Sequence, residues 1–291
     1  MLNIPSLGVV GLGRMAQALL FPLLEAGWVE PSAVQAVVAS AASAERLSQE
    51  HGLAVRTDAT AAWGSPVVLL AVKPQQLEQA AQQAGPGVPG GLLISVLAGV
   101  KLERLERLFP HWQCVRAVPN TPALVRAGLT GLAFGAGVSA EHRAWVNQLF
   151  GLVGEVHELP ESQLDAFLAL TSSGPAFVAV MAEGLADGAV AAGLPRALAL
   201  QLAQRTLAGT AALLEAKQLH PAQLKDMVSS PAGTTMAGLR SLEQAGVRWC
   251  WRRPSAAANW LSQVSCCPAW ARCLRAAARD CCGVSKPPAR W

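Results

Sequence analysis

The chain has 291 residues, of which 52% are hydrophobic, and a formal net charge of +4. This length and apolar content provide enough material for two domains with sizeable cores and exclude a disordered chain. The charge is uneven, because residues 1–247 hold 15 Lys and Arg against 18 Asp and Glu, whereas residues 248–291 hold 8 against 1. The body of the chain therefore shows no nucleic-acid-binding signature.

Cysteine is divided in the same way. Cys114 stands alone in the body, and the other six cysteines lie in residues 248–291. A body with one thiol fits a reducing compartment. The first five residues, Met-Leu-Asn-Ile-Pro, contain no basic segment followed by an apolar one, so we read no signal peptide and expect a cytoplasmic protein.

Short apolar runs alternate with helical patterns in the first half of the chain. The predicted strands are Leu7–Val10, Ala36–Ala39, Val67–Val72, Gly91–Val96 and Cys114–Val118. Strands that alternate with helices predict an α/β domain, a Rossmann-like parallel sheet with helices on both faces, over residues 1–160.

Residues 161–247 show helical spacing and no strand signal, which predicts an all-helical domain. The most apolar region, Phe167–Leu194, is interrupted by Glu183, Asp187 and several glycines. These residues argue against a membrane-spanning helix. We interpret the region as a buried helix, and a subunit interface is one place where it could be buried.

A glycine-rich loop follows the first predicted strand and reads Gly11-Leu12-Gly13-Arg14-Met15-Ala16. This Gly-x-Gly-x-x-Ala pattern at a strand-to-helix turn is the dinucleotide-binding fingerprint. Gly11 allows the tight turn, Gly13 lets a pyrophosphate approach the backbone, and the start of the helix faces the phosphates. We therefore predict that Gly11, Leu12, Gly13, Arg14 and Met15 bind the cofactor.

The end of the second strand indicates which dinucleotide binds. No carboxylate stands there to hold the ribose of NAD; instead Ser40, Ser43 and Arg46 offer hydroxyls and a cation that suit a 2′-phosphate. NADPH is favoured, with NADH as the alternative, since Ser43 could equally be the N-cap of the next helix. Ser40 is the predicted ligand.

Three further loops end predicted strands, where open α/β sheets bind their ligands. They contribute Ala71-Val72-Lys73-Pro74, then Ala98, and then Asn120 in the run Pro119-Asn120-Thr121-Pro122. We expect these loops to converge over the nicotinamide. Taken alone, Lys73 would be an ordinary surface lysine, and its place at a strand end before Pro74 makes it a candidate.

Far downstream, Ser229-Ser230-Pro231-Ala232-Gly233-Thr234-Thr235 precedes a helical pattern. Backbone N–H groups and hydroxyls at a helix start form a site for a carboxylate. A plain N-cap explains the same residues without a ligand.

Together these motifs, with Ser172-Ser173-Gly174-Pro175-Ala176-Phe177, resemble pyrroline-5-carboxylate reductase over roughly residues 6–247. The resemblance implies NAD(P)H-dependent reduction of 1-pyrroline-5-carboxylate to L-proline, the last step of proline biosynthesis. It implies that Gly233, Thr234 and Thr235 hold the substrate carboxylate and that Thr235 and Ser173 are catalytic. It also implies a homodimer or larger homo-oligomer, with no metal, nucleic acid or membrane partner.

Two positions depart from the family pattern. Asp58 stands where some members have an Asn that contacts cofactor, and a carboxylate there would repel the phosphates of NADPH. Ser172-Ser173-Gly174-Pro175 replaces the commoner Ser-Gly-Ser-Gly-Pro, a change small enough for the loop to survive.

Residues 248–291 form an atypical tail rich in Cys, Trp and Arg, where the family has an amphipathic helix. Its composition makes no sensible helix face, strand or linker. We interpret it as a reading-frame slip in the gene, since shifted codons over 248–262 restore an amphipathic pattern. The alternative is a genuine basic tail that binds a metal or an acidic partner.

Two other functions remain open at this point. One is a hydroxyacid or prephenate-like dehydrogenase, which would need a positioned base; the helical region offers only His220, Lys217 and Lys225. The other is a cofactor-binding pseudo-enzyme, which would follow if the tail is real and replaces a helix at the dimer interface.

Overall fold

The computed structural model describes residues 6–244, so the interpretation of the tail lies outside the described residues. The chain divides into two compact units, with the boundary between Pro175 and Ala176. The first unit contains the sheet, and the second is helical throughout its described part.

Eight strands form one sheet in the order β3-β2-β1-β4-β5-β6-β7-β8. Their bounds are β1 Leu7–Val10, β2 Val34–Val37, β3 Ala54–Arg56, β4 Val67–Leu70, β5 Leu92–Ser95, β6 Gln113–Pro119, β7 Gly128–Phe134 and β8 Gly154–Glu158. The first six are parallel, and β7 runs antiparallel to β6. All five predicted strands are present, and the order β3-β2-β1-β4-β5-β6 confirms the Rossmann-like prediction.

The strands at the centre of the sheet are apolar on both faces. Every residue of β1, β4 and β5 is buried, as expected when helices cover both sides of a parallel sheet. Alternate residues serve two cores: Val9 and Leu69 pack on one face, and Val10 and Leu70 on the other. The sheet unit thus completes its core within a single chain.

Helices of the first unit connect and cover the strands. They are α1 Arg14–Glu25, α2 Ala41–His51, α3 Thr60–Trp63, α4 Leu77–Ala84, α5 Leu102–Leu108, α6 Ala140–Gly151 and α7 Glu161–Thr171. Three 3-10 turns lie at Pro31–Ala33, Pro74–Gln76 and Thr121–Val125. Helices α1, α2 and α6 pack on one face of the sheet, and α3, α4 and α5 pack on the other.

A buried arginine on β6 anchors the start of α7. The Arg116 side chain is 1% exposed, and its guanidinium donates to Glu161 at 3.2 Å and to Asp165 at 2.7 Å. Glu161 Oε1 also accepts from the backbone N–H of Leu102, at 2.6 Å. Charge-assisted bonds to a buried cation fix this end of α7 on the sheet.

The second unit consists of helices with little buried surface. After α8, Gly174–Ala191, which begins at the boundary, come α9 Arg196–Ala216, α10 Pro221–Met227 and α11 Thr234–Gln244. In its described part, residues 176–244, the core cluster has Ala186, Ala199 and Ala203 as its buried apolar members. Large apolar side chains are exposed instead: Val178, Leu185, Leu194, Leu198, Leu200, Leu202, Leu213, Met227, Val228 and Met236.

The helical stretch 161–191 is long and apolar enough to cross a membrane by length and composition alone. Only 17% of its most apolar 18-residue segment is buried within the chain. The prediction that this region is a buried helix is therefore not fulfilled by contacts within one chain. Composition is weak evidence for a membrane span, since the stretch carries Glu161, Asp165, Glu183 and Asp187.

Candidate functional site

The loop after β1 is held tightly against the neighbouring strands. Gly11 has φ +97°, a conformation that favours glycine, and a Cβ there would lie 2.8 Å from backbone atoms of Ala71 and Val72. The N–H groups of Gly11 and Leu12 both donate to the carbonyl of Val37. The first glycine therefore makes a turn and a close approach that no other residue could make.

Gly13 plays a different part. It is the N-cap of α1, it is exposed, and a Cβ built on it would meet nothing within 4 Å. No acidic residue stands in the first turn of α1, where Arg14 is exposed and Met15 is half-buried. This open backbone at a helix start fits the pyrophosphate of a dinucleotide.

Leu12 lies beneath the same loop. Its side chain is 3% exposed and belongs to the core, and its carbonyl accepts from Gln17 Nε2 at 3.1 Å. Leu12 therefore shapes the loop from below, with its polar backbone atoms bonded internally.

The end of β2 places hydroxyls at a helix start. Ser40 is the N-cap of α2, its Oγ accepts from the N–H of Ser43, and the two hydroxyls lie 2.9 Å apart. Ser40, rather than Ser43, thus caps the helix. Arg46 is exposed and pairs with Glu50 at 2.8 Å on the same helix.

A second arginine lies beside this turn. Arg56 ends β3, is aligned with Val37 of β2, and its carbonyl accepts from the N–H of Val38 at 2.9 Å. Its side chain is exposed and makes no ion pair within the described part of the chain. Sequence reasoning missed this cation, because strand β3 was not predicted.

The loops after β4 and β5 lie at the same edge of the sheet as the Gly11 loop, because β1, β4 and β5 are adjacent and parallel. Ala71 and Val72 are half-buried, Lys73 is exposed and Pro74 begins a 3-10 turn. Ala98 is exposed in the loop after β5. The structure thus brings these four predicted residues and Ala98 to one edge with the glycine-rich loop.

Asn120 is placed differently from the other predicted cofactor residues. Its side chain lies at the end of β6 and is 5% exposed. Its Nδ2 donates to the carbonyl of Thr171 at 3.0 Å, and its Oδ1 accepts from the N–H of Leu129 at 2.8 Å. Its own carbonyl accepts from the N–H of Ala123. These polar groups are all used inside the protein.

Ser173 lies in the short turn between α7 and α8 and is half-buried. Its neighbour Ser172 directs its hydroxyl to the carbonyl of Pro119 at 3.5 Å. The segment is therefore held near the end of β6 by side-chain contacts on Asn120 and Ser172.

The second predicted motif lies in the helical unit and precedes α11. Ala232 has φ +57°, and the N–H of Gly233 donates to the carbonyl of Ser230 at 3.0 Å. A Cβ on Gly233 would lie 2.3 Å from the Ser230 hydroxyl, so the turn is compact. Thr234 is exposed and Thr235 is half-buried, in the first turn of α11.

Asp58 makes local bonds just before α3. Its Oδ1 accepts from the N–H of Thr60 at 3.1 Å and from its hydroxyl at 2.8 Å, at the start of α3. These bonds to Thr60 lower the pKa of Asp58. Its carboxylate is thus engaged with Thr60 rather than left as a bare charge near a cofactor.

Two further features bear on the chemistry of the chain. Burial raises the pKa of the Cys114 thiol to about 12, so this cysteine is a neutral core residue and not a nucleophile. Among residues 6–244, no group of three or more His, Cys, Asp and Glu side chains is arranged to hold a metal ion.

Gly8 is a second residue that sequence reasoning missed. A Cβ there would lie 2.2 Å from the carbonyl oxygen of Ala62, so α3 packs directly on the backbone of β1. A glycine inside a strand pattern is a recognised signal of such an approach.

Two family models match the chain. Residues 6–99 match the family described as NADP oxidoreductase coenzyme F420-dependent, and residues 161–260 match pyrroline-5-carboxylate reductase dimerisation. The first covers the strands around the Gly11 loop, and the second covers the helices with exposed apolar side chains.

Curated relatives and solved structures agree with these matches. The pyrroline-5-carboxylate reductase of Synechocystis is 44% identical, over 83% of this chain and 91% of its own length, and that of Arabidopsis thaliana is 37% identical, over 83% and 88%. The crystal structure of the Plasmodium falciparum enzyme with NADP bound superposes with a TM-score of 0.79 at 27% identity, over 96% of this chain and 99% of that one. The chain belongs to the pyrroline-5-carboxylate reductase family.

Proposed function

We propose that the protein reduces 1-pyrroline-5-carboxylate to L-proline with NADPH. The carbon of the C=N bond gains a hydride and the nitrogen gains a proton. Relatives that carry this name match 83% or more of the chain, and the open backbone at Gly13 beside the first turn of α1 is the observation that carries the cofactor half of the proposal.

The residues of the first unit fit the cofactor. Gly13 leaves space where a pyrophosphate would approach, and the first turn of α1 provides N–H groups and no opposing carboxylate. Ser40 and the exposed arginine Arg56 suit a 2′-phosphate. Ala71, Val72, Lys73, Pro74 and Ala98 line the same edge. NADPH supplies the hydride when bound.

The turn before α11 suits the substrate carboxylate. Thr234 and Thr235 begin α11 and Gly233 precedes it in a compact turn, and backbone N–H groups and hydroxyls at a helix start favour an anion. We assign carboxylate binding to these three residues, and we assign orientation of the imine to Thr235 and Ser173. An iminium carbon is already electrophilic, so orientation in a dry site is the main requirement.

The active form in this proposal is a homodimer or larger homo-oligomer. Its support is the exposed apolar surface of the helical unit together with the dimerisation family model over residues 161–260. A cytoplasmic location is also proposed, and the free, buried Cys114 supports a reducing compartment.

The experiment measures NADPH oxidation and proline formation by the purified chain with 1-pyrroline-5-carboxylate. We expect substrate-dependent oxidation, one proline for each NADPH. Thr235→Val, which keeps the shape and removes the hydroxyl, should lower kcat/KM for the imine about 10- to 100-fold while NADPH still binds. Thr210→Val, which removes an exposed hydroxyl on α9 outside the motif, is the matched control. Absence of turnover in the unmodified protein would contradict the proposed function.

A further inference from the structure

Hydrogen bonds from β6 and from the residue that follows it hold both ends of helix α7. Near its start, Arg116 of β6 bonds Glu161 and Asp165. At its end, Asn120 bonds the carbonyl of Thr171. The two β6-side residues are four apart, about 13 Å along an extended chain, and the eleven residues of α7 span about 16 Å. The strand and the helix therefore match in length, with one fastening at each end.

The bond to Thr171 has a specific chemical cause. Helices α7 and α8 form one almost continuous helix from Glu161 to Ala191, interrupted by a short turn. In a regular helix the N–H four positions on would donate to the Thr171 carbonyl, and that position is Pro175. Proline has no N–H, so this carbonyl loses its helical partner. Asn120 Nδ2 supplies the missing donor from the neighbouring strand, at 3.0 Å.

The carboxamide of Asn120 satisfies both neighbours of this side chain, because it carries a donor and an acceptor on separate atoms. The N–H of Leu129 needs an acceptor, and the carbonyl of Thr171 needs a donor. A carboxylate would place two oxygens together at Thr171, and a smaller side chain would leave both buried groups unpaired. Because unpaired buried groups are costly, the residue that stands here is strongly determined by its neighbours.

We propose that Asn120 is a positioning residue, which acts through the Thr171 carbonyl to set the Ser172–Ser173 turn, and that it is not a ligand of the cofactor. Nδ2, Oδ1 and the backbone carbonyl of Asn120 each make a bond inside the protein, and the residue is 5% exposed, so its amide is oriented by Thr171 and Leu129 and little of it is open to a nicotinamide. Ser172 adds a contact to Pro119 that holds the same turn. The functional part of this inference depends on the role proposed above for Ser173.

The test compares four full-length variants, of which Asn120→Ala alone is the reference for the double variant. Asn120→Asp keeps the shape and the acceptor but removes the donor. Asn120→Ala combined with Pro175→Ala restores a backbone N–H opposite Thr171. Asn147→Ala removes a half-buried amide on α6, elsewhere in the first unit, and is the control. The measurements are hydrogen exchange in peptides that cover residues 168–175, the Kd for NADPH, and kcat and KM for 1-pyrroline-5-carboxylate.

For Asn120→Asp we expect faster exchange over 168–175, an NADPH Kd within about twofold of the unmodified protein, and a kcat about 10- to 100-fold lower, since small misplacements near a reacting centre are expensive. Exchange in the Asn147→Ala control should not change. The double variant should exchange more slowly over this segment than Asn120→Ala alone, because the alanine N–H replaces the lost donor.

A rise in NADPH Kd of about tenfold or more with unchanged kcat would instead identify Asn120 as a cofactor ligand and overturn the inference. Unchanged exchange in Asn120→Asp would overturn it as well, and so would a lack of any recovery in the double variant. Turnover by the unmodified protein is measured first. Its absence would count against the proposed function, and the exchange data would still decide whether Asn120 holds the turn.

Discussion

The two units of this chain differ in how they bury their apolar residues. In the sheet unit, strands β1, β4 and β5 are wholly buried and both faces carry a packed core. In the helical unit, three alanines form the buried cluster, while leucines such as Leu185 and Leu202 are 45% and 46% exposed. An isolated chain can stabilise the first arrangement, whereas the second needs apolar surface from another copy.

The largest expected effect is on assembly, from a charge placed on the exposed apolar surface of α9. Leu202→Glu should weaken self-association by about 2 kcal/mol or more and remove activity with it, because a buried, unpaired carboxylate is costly at an interface. Gln204→Glu adds the same charge on the opposite side of this helix and is the control. Light scattering after size exclusion measures the mass. An unchanged oligomer in Leu202→Glu would contradict the claim that the exposed leucines of the helical unit pack against another copy.

The next effect separates cofactor binding from folding in the sheet unit. Gly13→Ala places a methyl group in open space, so thermal stability should be unchanged while the NADPH Kd rises about tenfold or more. Gly8→Ala should do the reverse, since its Cβ would collide with the Ala62 carbonyl; we expect a loss of about 1–3 kcal/mol of stability. Calorimetry and NADPH fluorescence measure the two quantities. Equal loss of stability in both variants would remove the distinction between the two glycines.

A smaller effect concerns discrimination between NADPH and NADH. Arg56→Ala should weaken binding of 2′,5′-ADP about five- to tenfold and leave 5′-AMP nearly unchanged, because only the former carries a 2′-phosphate. Arg46→Ala is the matched control, since Arg46 is already paired with Glu50 on an exposed helix face. Titration calorimetry with both nucleotides checks this. If Arg46→Ala has the larger effect, then the sequence-based assignment of Arg46 to the phosphate is the better one.

The smallest effect lies in the helical unit. Ala232 has φ +57°, which costs an alanine about 1 kcal/mol relative to glycine. Ala232→Gly should therefore raise the midpoint of thermal unfolding by about 2–4 °C. Ala237→Gly, within α11, should lower it and serves as the control. A lower midpoint in Ala232→Gly would show that the backbone at this turn is not strained.

The sequence predicted the parts of the fold that depend on local pattern. Strands rich in Val, Leu and Ile were found, as was the glycine-rich turn, because glycine and hydrophobic periodicity report local geometry. Strands β3, β7 and β8 were missed: β3 has three residues, β7 contains two glycines, and β8 is polar, with the sequence Gly-Glu-Val-His-Glu. Strands β3 and β8 are the two edges of the sheet and carry little apolar signal, whereas β7 is an interior strand whose pattern is interrupted by its two glycines.

Residues whose roles depend on distant partners could not be assigned from the sequence. The sequence predicts that Asn120 binds cofactor because it follows a strand; it could not show that the Asn120 side chain bonds Thr171, 51 positions away. Arg56 was overlooked for the same reason, since its position beside Val37 follows from the pairing of β2 with β3. The hydroxyl cap was placed on Ser43 as one alternative, and the structure shows Ser40 in that position.

The order of the two units along the chain has a consequence for biosynthesis. The sheet unit emerges from the ribosome first, and it can fold without the rest because its core is complete. The helices of the second unit then emerge joined to a folded domain, with their leucines exposed until a second copy arrives. Pairing follows mass action, so the period of exposure shortens as the protein accumulates. We therefore expect the earliest copies made in a cell to be the ones that depend most on chaperones.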